Sequence, residues 1–144
     1  MRSLFPGDLR AERLRSQTFL LSEFLEKKGW TPPAIAGQVV LHGHCHHKSV
    51  MKMTDEESLL RKTGAAVQSL DAGCCGMAGS FGFDAHKYDV SIGAGERVLL
   101  PAVRAAAQDA HIVSDGFSCR EQIAQTTGRR ALHLADLLRF GLRA

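Results

Sequence analysis

Four short apolar segments follow Gly37, and each leads into a turn: Val39-Val40-Leu41, Ala65-Ala66-Val67 with Leu70, residues 110–113, and Ala131-Leu132-His133-Leu134. They lack the clean polar alternation of a half-wet sheet, so they fit strands buried on both faces, as in parallel sheets. Helical stretches separate them. Thr54-Asp55-Glu56-Glu57 has the pattern of a capping box for a helix through Leu59 and Leu60 that ends before Gly64. Residues 86–107 are helical in composition, weakened by Gly93 and Gly95 and kinked or restarted at Pro101. Ser118-Cys119-Arg120-Glu121 is a second capping box, for a helix ending near Gly128, and residues 135–142 are again helical. Strand and helix alternate. That predicts an α/β fold: a single domain with a mostly parallel four-stranded sheet flanked by helices and joined by right-handed crossovers.

Ahead of this alternation, residues 8–28 place Leu14, Thr18, Leu21 and Leu25 at helical spacing with Phe24 beside them. This predicts one amphipathic N-terminal helix, stopped by Gly29 and Pro32-Pro33. Residues 1–36 are therefore expected to be a helix and linker, and residues 37–144 the cysteine-bearing domain. A chain of 144 residues suffices for one core. Its apolar runs are too short to span a membrane, and its first residues lack an apolar leader. The net charge of +3 comes from Lys and Arg scattered among acids, which reads as solvated surface and not as a nucleic-acid face. These features predict a cytoplasmic protein without a membrane span or a nucleic-acid partner.

All four cysteines follow predicted strands: Cys45, the adjacent pair Cys74-Cys75, and Cys119. Adjacent cysteines rarely pair with each other, and a chain of cytosolic character uses cysteine for metal or redox chemistry more than for disulfides. In a parallel sheet the carboxyl ends of the strands share one edge, where open α/β sheets bind ligands. Three strand ends therefore deliver four sulfurs to one side of the domain. Gly73, Gly76, Gly79 and Gly82 recur every third residue around the pair, so backbone amides can approach a bulky inorganic core. Ser118 is expected to cap the helix that carries Cys119 in its first turn, where the positive dipole end favours a thiolate or an anionic cluster. His42, His44, His46 and His47 crowd around Cys45. If the segment is extended, His42, His44 and His46 share one side and Cys45 faces the other, which suits hydrogen bonding to a cluster or proton movement better than direct ligation. His133 reads as a satisfied core histidine.

Three anchors then carry a resemblance: His42-Gly43-His44-Cys45-His46, the run Gly73-Cys74-Cys75-Gly76-Met77-Ala78-Gly79-Ser80-Phe81-Gly82, and Gly116-Phe117-Ser118-Cys119-Arg120-Glu121-Gln122. Over roughly residues 37–140 the chain resembles the cysteine-rich "CCG" domain. That family occurs in heterodisulfide reductases, in the iron–sulfur subunit of glycolate oxidase and in FAD-linked D-2-hydroxyacid dehydrogenases. The second and third anchors are most similar to the C-terminal region of the large FAD-linked oxidases. The resemblance implies an iron–sulfur cluster, of 4Fe-4S type, held by Cys45, Cys74, Cys75 and Cys119, with His42, His44, His46, Gly76 and Ser118 around it. It also implies electron transfer beside a flavin. The partners would be the flavin domain and other iron–sulfur modules of a parent protein, in the cytoplasm or on the inner face of the membrane through the parent complex. The family's last motif is often Cys-x-x-Cys; here its first position is Gly116, which leaves four sulfurs where the non-cubane cluster of heterodisulfide reductases uses five. No ferredoxin-type cysteine motif and no flavin-binding segment is present, so the chain reads as one domain of a larger oxidoreductase, with FAD elsewhere in the parent. Two other readings stand beside this one. Four thiolates also satisfy a structural zinc ion, and Cys119 at a helix start could be an activated nucleophile.

Overall fold

The strand β1 (Gln38–Leu41) lies inside the sheet: Val39, Val40 and Leu41 are fully buried. β-branched residues pack well on a pleated surface covered on both faces, and each such side chain contributes about 1.5–3 kcal/mol when taken out of water. β2 (Ala66–Ser69) and β3 (His111–Val113) lie on either side of β1, and β4 (Ala131–Leu132) pairs with β3. The order is β2-β1-β3-β4 and every pairing is parallel. Register is fixed by pairs such as Val39 with Val67 and Val40 with Ile112. The expected α/β class with a parallel four-stranded sheet flanked by helices is what the structure has. β2 departs from the expectation of strands buried on both faces. It is an edge strand whose residues are largely exposed, which accounts for Gln68 and Ser69.

The computed structural model describes residues 4–143. Met1, Arg2 and Ser3, on which the leader reading partly rests, and Ala144 lie outside the described residues. The chain divides into two compact units between Trp30 and Thr31. In the first, the expected single helix is two helices, α1 (Leu9–Ser16) and α2 (Leu21–Lys27). The break has a local cause. The Thr18 hydroxyl donates to the Leu14 carbonyl, and the Glu23 carboxylate accepts the Leu20 amide, so a new helix starts there. None of α1 is buried.

The second unit holds the sheet. Residues from Thr31 belong to it: the Ile35 amide donates to the Thr63 carbonyl, and Ile35 is buried. Between β1 and β2 come a π-helical turn (His47–Met51) and helix α3 (Thr54–Lys62). A 3-10 turn (Phe81–Phe83), α4 (Tyr88–Glu96) and α5 (Leu99–Ala105) precede β3. The expected restart near Pro101 falls at Arg97-Val98, and Pro101 sits in the first turn of α5, where a missing amide matters least. α6 (Phe117–Thr127) joins β3 to β4, and α7 (Leu134–Gly141) closes the chain. Neither expected capping box forms. Met53 and Gly116 occupy the N-cap positions, leaving Thr54 and Ser118 inside their helices without a capping hydrogen bond. His133 is not a core residue: it caps α7, its Nδ1 accepting the Ala135 amide. The core packs Val40, Leu99, Leu100, Val103, Ile112 and Ile123 together with Met77, Cys75 and Cys119.

Candidate metal centre

Each cysteine lies just past the carboxyl end of a strand. β1 ends at Leu41 and leads to Cys45, β2 ends at Ser69 and leads to Cys74-Cys75, and β3 ends at Val113 and leads to Cys119. Because the strands are parallel, these ends share one edge of the sheet. The turn after β1 is tied to the loop after β2 by Lys48, whose Nζ donates to Asp71 Oδ1 at 2.8 Å and to the Ala72 carbonyl at 3.2 Å. The sulfurs act on one another in order: Cys45 bears on Cys74, Cys74 on Cys75, and Cys75 on Cys119. The row runs from the surface inward, since Cys45 is exposed, Cys74 half-buried, and Cys75 and Cys119 are buried.

Charge settles on Cys75. The Cys119 thiol donates to its sulfur, and the Met77 and Ala78 amides favour the anion, so its pKa falls from 9.0 to about 6 despite burial. Cys119 moves the other way: its bond to Cys75 and its burial push its thiol well above the ordinary range. The expectation is a thiolate or an anionic cluster at this helix start; without metal, the charge lies on Cys75 and Cys119 keeps its proton. Cys119 is in the first turn of α6 as expected, but it serves as the donor to its neighbour. Burial also raises Cys74, while the Gly76 amide, 3.3 Å from its sulfur, acts against that.

The glycine run is shaped for this geometry at particular positions. Gly76 has φ +97°, and a Cβ there would lie 1.9 Å from the Ser91 carbonyl oxygen of α4. Ala78, at φ 41°, and Gly79, at φ 67°, continue the left-handed turn; for Ala78 this is a strained backbone. Gly82 lies tight against Met77 and Ser91, whereas Gly73 has open space around it. Gly116 has none: a Cβ there would meet the His44 ring at 2.6 Å and Cys119 Sγ at 2.9 Å. A side chain at Gly116 would therefore require the His44 ring to shift.

The histidines do not alternate as an extended strand would place them. The backbone turns helical at Cys45-His46, so His46 is exposed beside an exposed Cys45. His42 is buried, and neither ring nitrogen has a hydrogen-bond partner. Burial, with His44 and Lys48 nearby, lowers its pKa to about 4, so its ring is neutral. Ser118 is half-buried within α6. The structure thus brings together the four cysteines, His44 and the Gly76 amide, and leaves His46 and Ser118 at the margin. Two residues that the sequence reading does not single out, Glu56 and Asp115, lie with His47 in a separate polar corner. A signal for Glu56 exists. It shares a helix face with Leu59 and Leu60, three and four residues on, and that face is the buried one.

The donor set suits an iron–sulfur cluster. It offers four soft sulfurs, one already drawn toward thiolate, and a backbone amide on a second. No family model matches the chain, and no solved structure matches it. Several curated proteins do. D-2-hydroxyglutarate dehydrogenase of Escherichia coli (strain K12) is 27% identical over 98 residues, 67% of this chain and 10% of that protein. The protein of the same name from Pseudomonas putida is 27% identical over 108 residues, 74% of this chain and 10% of that protein. One of the subunits of the anaerobic glycerol-3-phosphate dehydrogenase of Escherichia coli (strain K12) is 30% identical over 146 residues, 96% of this chain and 36% of that protein. The chain spans a tenth of the first two and about a third of the last, and is related to a part of these dehydrogenases.

Proposed function

We propose that this chain is an iron–sulfur-binding electron-transfer domain, of the cysteine-rich CCG type over residues 37–144, within an FAD-linked oxidoreductase acting on 2-hydroxy acids. The observation that carries the reading is the gathering of four free cysteines past the carboxyl ends of three parallel strands, along one sheet edge. Cys45, Cys74, Cys75 and Cys119 would hold the cluster. When bound, such a cluster accepts and releases electrons one at a time. The residues around it have distinct work. The Gly76 amide faces the Cys74 sulfur and stabilises negative charge there. His42, neutral and without a partner, has a ring N–H to donate to a reduced centre. His44 fills the space at Gly116.

Relationship to dehydrogenases supports the oxidoreductase setting, and the name D-2-hydroxyglutarate dehydrogenase supports a 2-hydroxy acid as the substrate of the whole protein. The partners would be a flavin domain and further iron–sulfur modules. Electrons would pass from the flavin through this domain to another acceptor, with the exposed Cys45 end facing a partner. The setting would be the cytoplasm, or the inner face of a membrane through the parent complex. No helix among the described residues is long and apolar enough to cross a membrane. Structural zinc is the competing occupant. Four thiolates around zinc lie about 3.8 Å apart pairwise. Among the described residues, the trio of metal-binding side chains with donor atoms within 4.8 Å of one another is His47, Glu56 and Asp115, not three of the sulfurs.

Anaerobic purification followed by iron and acid-labile sulfide assays tests the proposal. The expected protein is coloured, with iron and sulfide in equal amounts, and Cys75→Ser loses both. A colourless protein that stays iron-free after reconstitution would sink the reading.

A further inference from the structure

A second set of ligands lies beside the sulfur row. His47 is in the turn after β1, Glu56 in α3, and Asp115 in the turn after β3. One donor atom from each lies within 4.8 Å of the other two. Glu56 is 1% exposed and His47 8%, and neither carboxylate oxygen of Glu56 receives a hydrogen bond. An ionised carboxylate so placed costs several kcal/mol unless a proton or a cation compensates it. The His47 ring lies beside it, with Nδ1 3.5 Å from Glu56 Oε2. That separation is long for a hydrogen bond. It is close to the ~3.4 Å between two donors that share one tetrahedral zinc ion at about 2.0–2.2 Å from each. Asp115 is already held in place: its Oδ1 accepts the Leu134 amide at 2.9 Å, and His133 Nε2 is 3.5 Å from the same oxygen. Outer partners of this kind orient metal-binding carboxylates.

We propose that His47, Glu56 and Asp115 bind one divalent zinc-type cation, separate from the centre held by the cysteines. One imidazole and two carboxylates are a hard and borderline donor set, suited to zinc and poorly suited to an iron–sulfur cluster. Two negative charges balance the dication, which removes the cause of Glu56's unfavourable burial. Three side chains leave a fourth position for water. The cation would join three segments that are distant in sequence. Two of them lead to the outer sulfurs, since Cys45 is two residues before His47 and Cys119 four residues after Asp115. Its work is to brace the ends of the sulfur row.

The test uses the full chain, purified anaerobically and supplied with zinc, with zinc, iron and sulfide counted separately. Wild type should hold one zinc per chain, and X-ray absorption at the zinc edge should show nitrogen and oxygen neighbours without sulfur. Glu56→Gln and His47→Gln should lose that zinc. Sulfur in the zinc shell, no zinc retained by wild type, or undiminished zinc in both folded variants overturns the site. If the variants fail to fold, the wild-type absorption spectrum decides alone. The iron and sulfide counts report on the cysteine centre independently, so failure of either site is distinguishable from failure of the other.

Discussion

The sulfur row and the Glu56 corner sit at the same edge of one sheet, yet they answer burial in opposite ways. In the row the groups satisfy one another: a thiol donates to a thiolate, and a backbone amide faces the next sulfur. Thiols can do this because they lose their charge cheaply and act as weak donors. In the corner, Glu56 has no donor for either oxygen. A carboxylate cannot share itself out, so burial raises its pKa from 4.5 to about 8, with Asp115 and Glu57 adding repulsion. The row is settled before any metal arrives. The corner waits for a proton or a cation.

The largest expected effect breaks the row's scaffold. Gly76→Ala would force a Cβ into the Ser91 carbonyl at a left-handed φ, and should cost roughly 5 kcal/mol, most of a small domain's stability. Gly73→Ala has open space and should stay within about 1 kcal/mol. Urea unfolding of the two variants measures the difference, and equal effects would mean that the loop is not fitted against α4.

The next effect sharpens the contrast at the corner. In metal-free protein the folded state keeps the Glu56 proton while the unfolded chain has lost it. The Glu56 contribution to stability is therefore full below pH 4.5, is lost as pH rises through about 8, and is constant above that. The full fall is on the order of 5 kcal/mol. Glu56→Gln should flatten this slope in thermal melts across that range, and an unchanged slope would place the titration elsewhere. In the row, Cys119→Ala removes the donor to Cys75. The thiolate absorbance of reduced, metal-free protein should then titrate well above its midpoint near 6, toward the ordinary thiol value of 9.0. A midpoint still near 6 would mean the Met77 and Ala78 amides suffice.

The smallest effect separates fold from function at His42. Its ring nitrogens are buried and without partners, so His42→Phe should stabilise the metal-free fold by about 1 kcal/mol. The same change should lower the reduction potential of the loaded protein, because a donor to the reduced centre is gone. A less stable metal-free variant with an unaltered potential would make His42 an ordinary core residue.

These contrasts also explain what is legible in the sequence. β1 and β3 stand out because Val39, Val40, Ile112 and Val113 are β-branched and surrounded on both faces. Once they are placed, the convergence of cysteines along one edge follows from topology. β2 reads as buried because its apolar start hides the fact that it lies at the edge. The capping boxes fail for a local reason. A motif of four residues tolerates a shift of one or two positions, and Met53 and Gly116 take the caps. Glu56 is hidden by the general rule that glutamates lie at the surface, and Asp115 by the lack of any local pattern. The division of charge between Cys75 and Cys119 depends on which thiol faces which, a contact between segments more than 40 residues apart, and no spacing encodes it.

The tight seat of Gly76 on Ser91 has one more consequence. Gln122 of α6 donates to the same Ser91 carbonyl and to its hydroxyl, both at 3.2 Å. The loop with Cys74 and Cys75, helix α4 and the helix with Cys119 therefore meet at a single residue. Three of the four sulfurs thus share one mount, fastened at Ser91. For a centre that changes charge, stiffness means that bond lengths and surroundings rearrange little between the oxidised and reduced states. A small rearrangement is what lets an electron hop quickly. If the proposed cluster sits at this edge, Met77 and the glycines packed on Ser91 bear on how quickly it passes electrons.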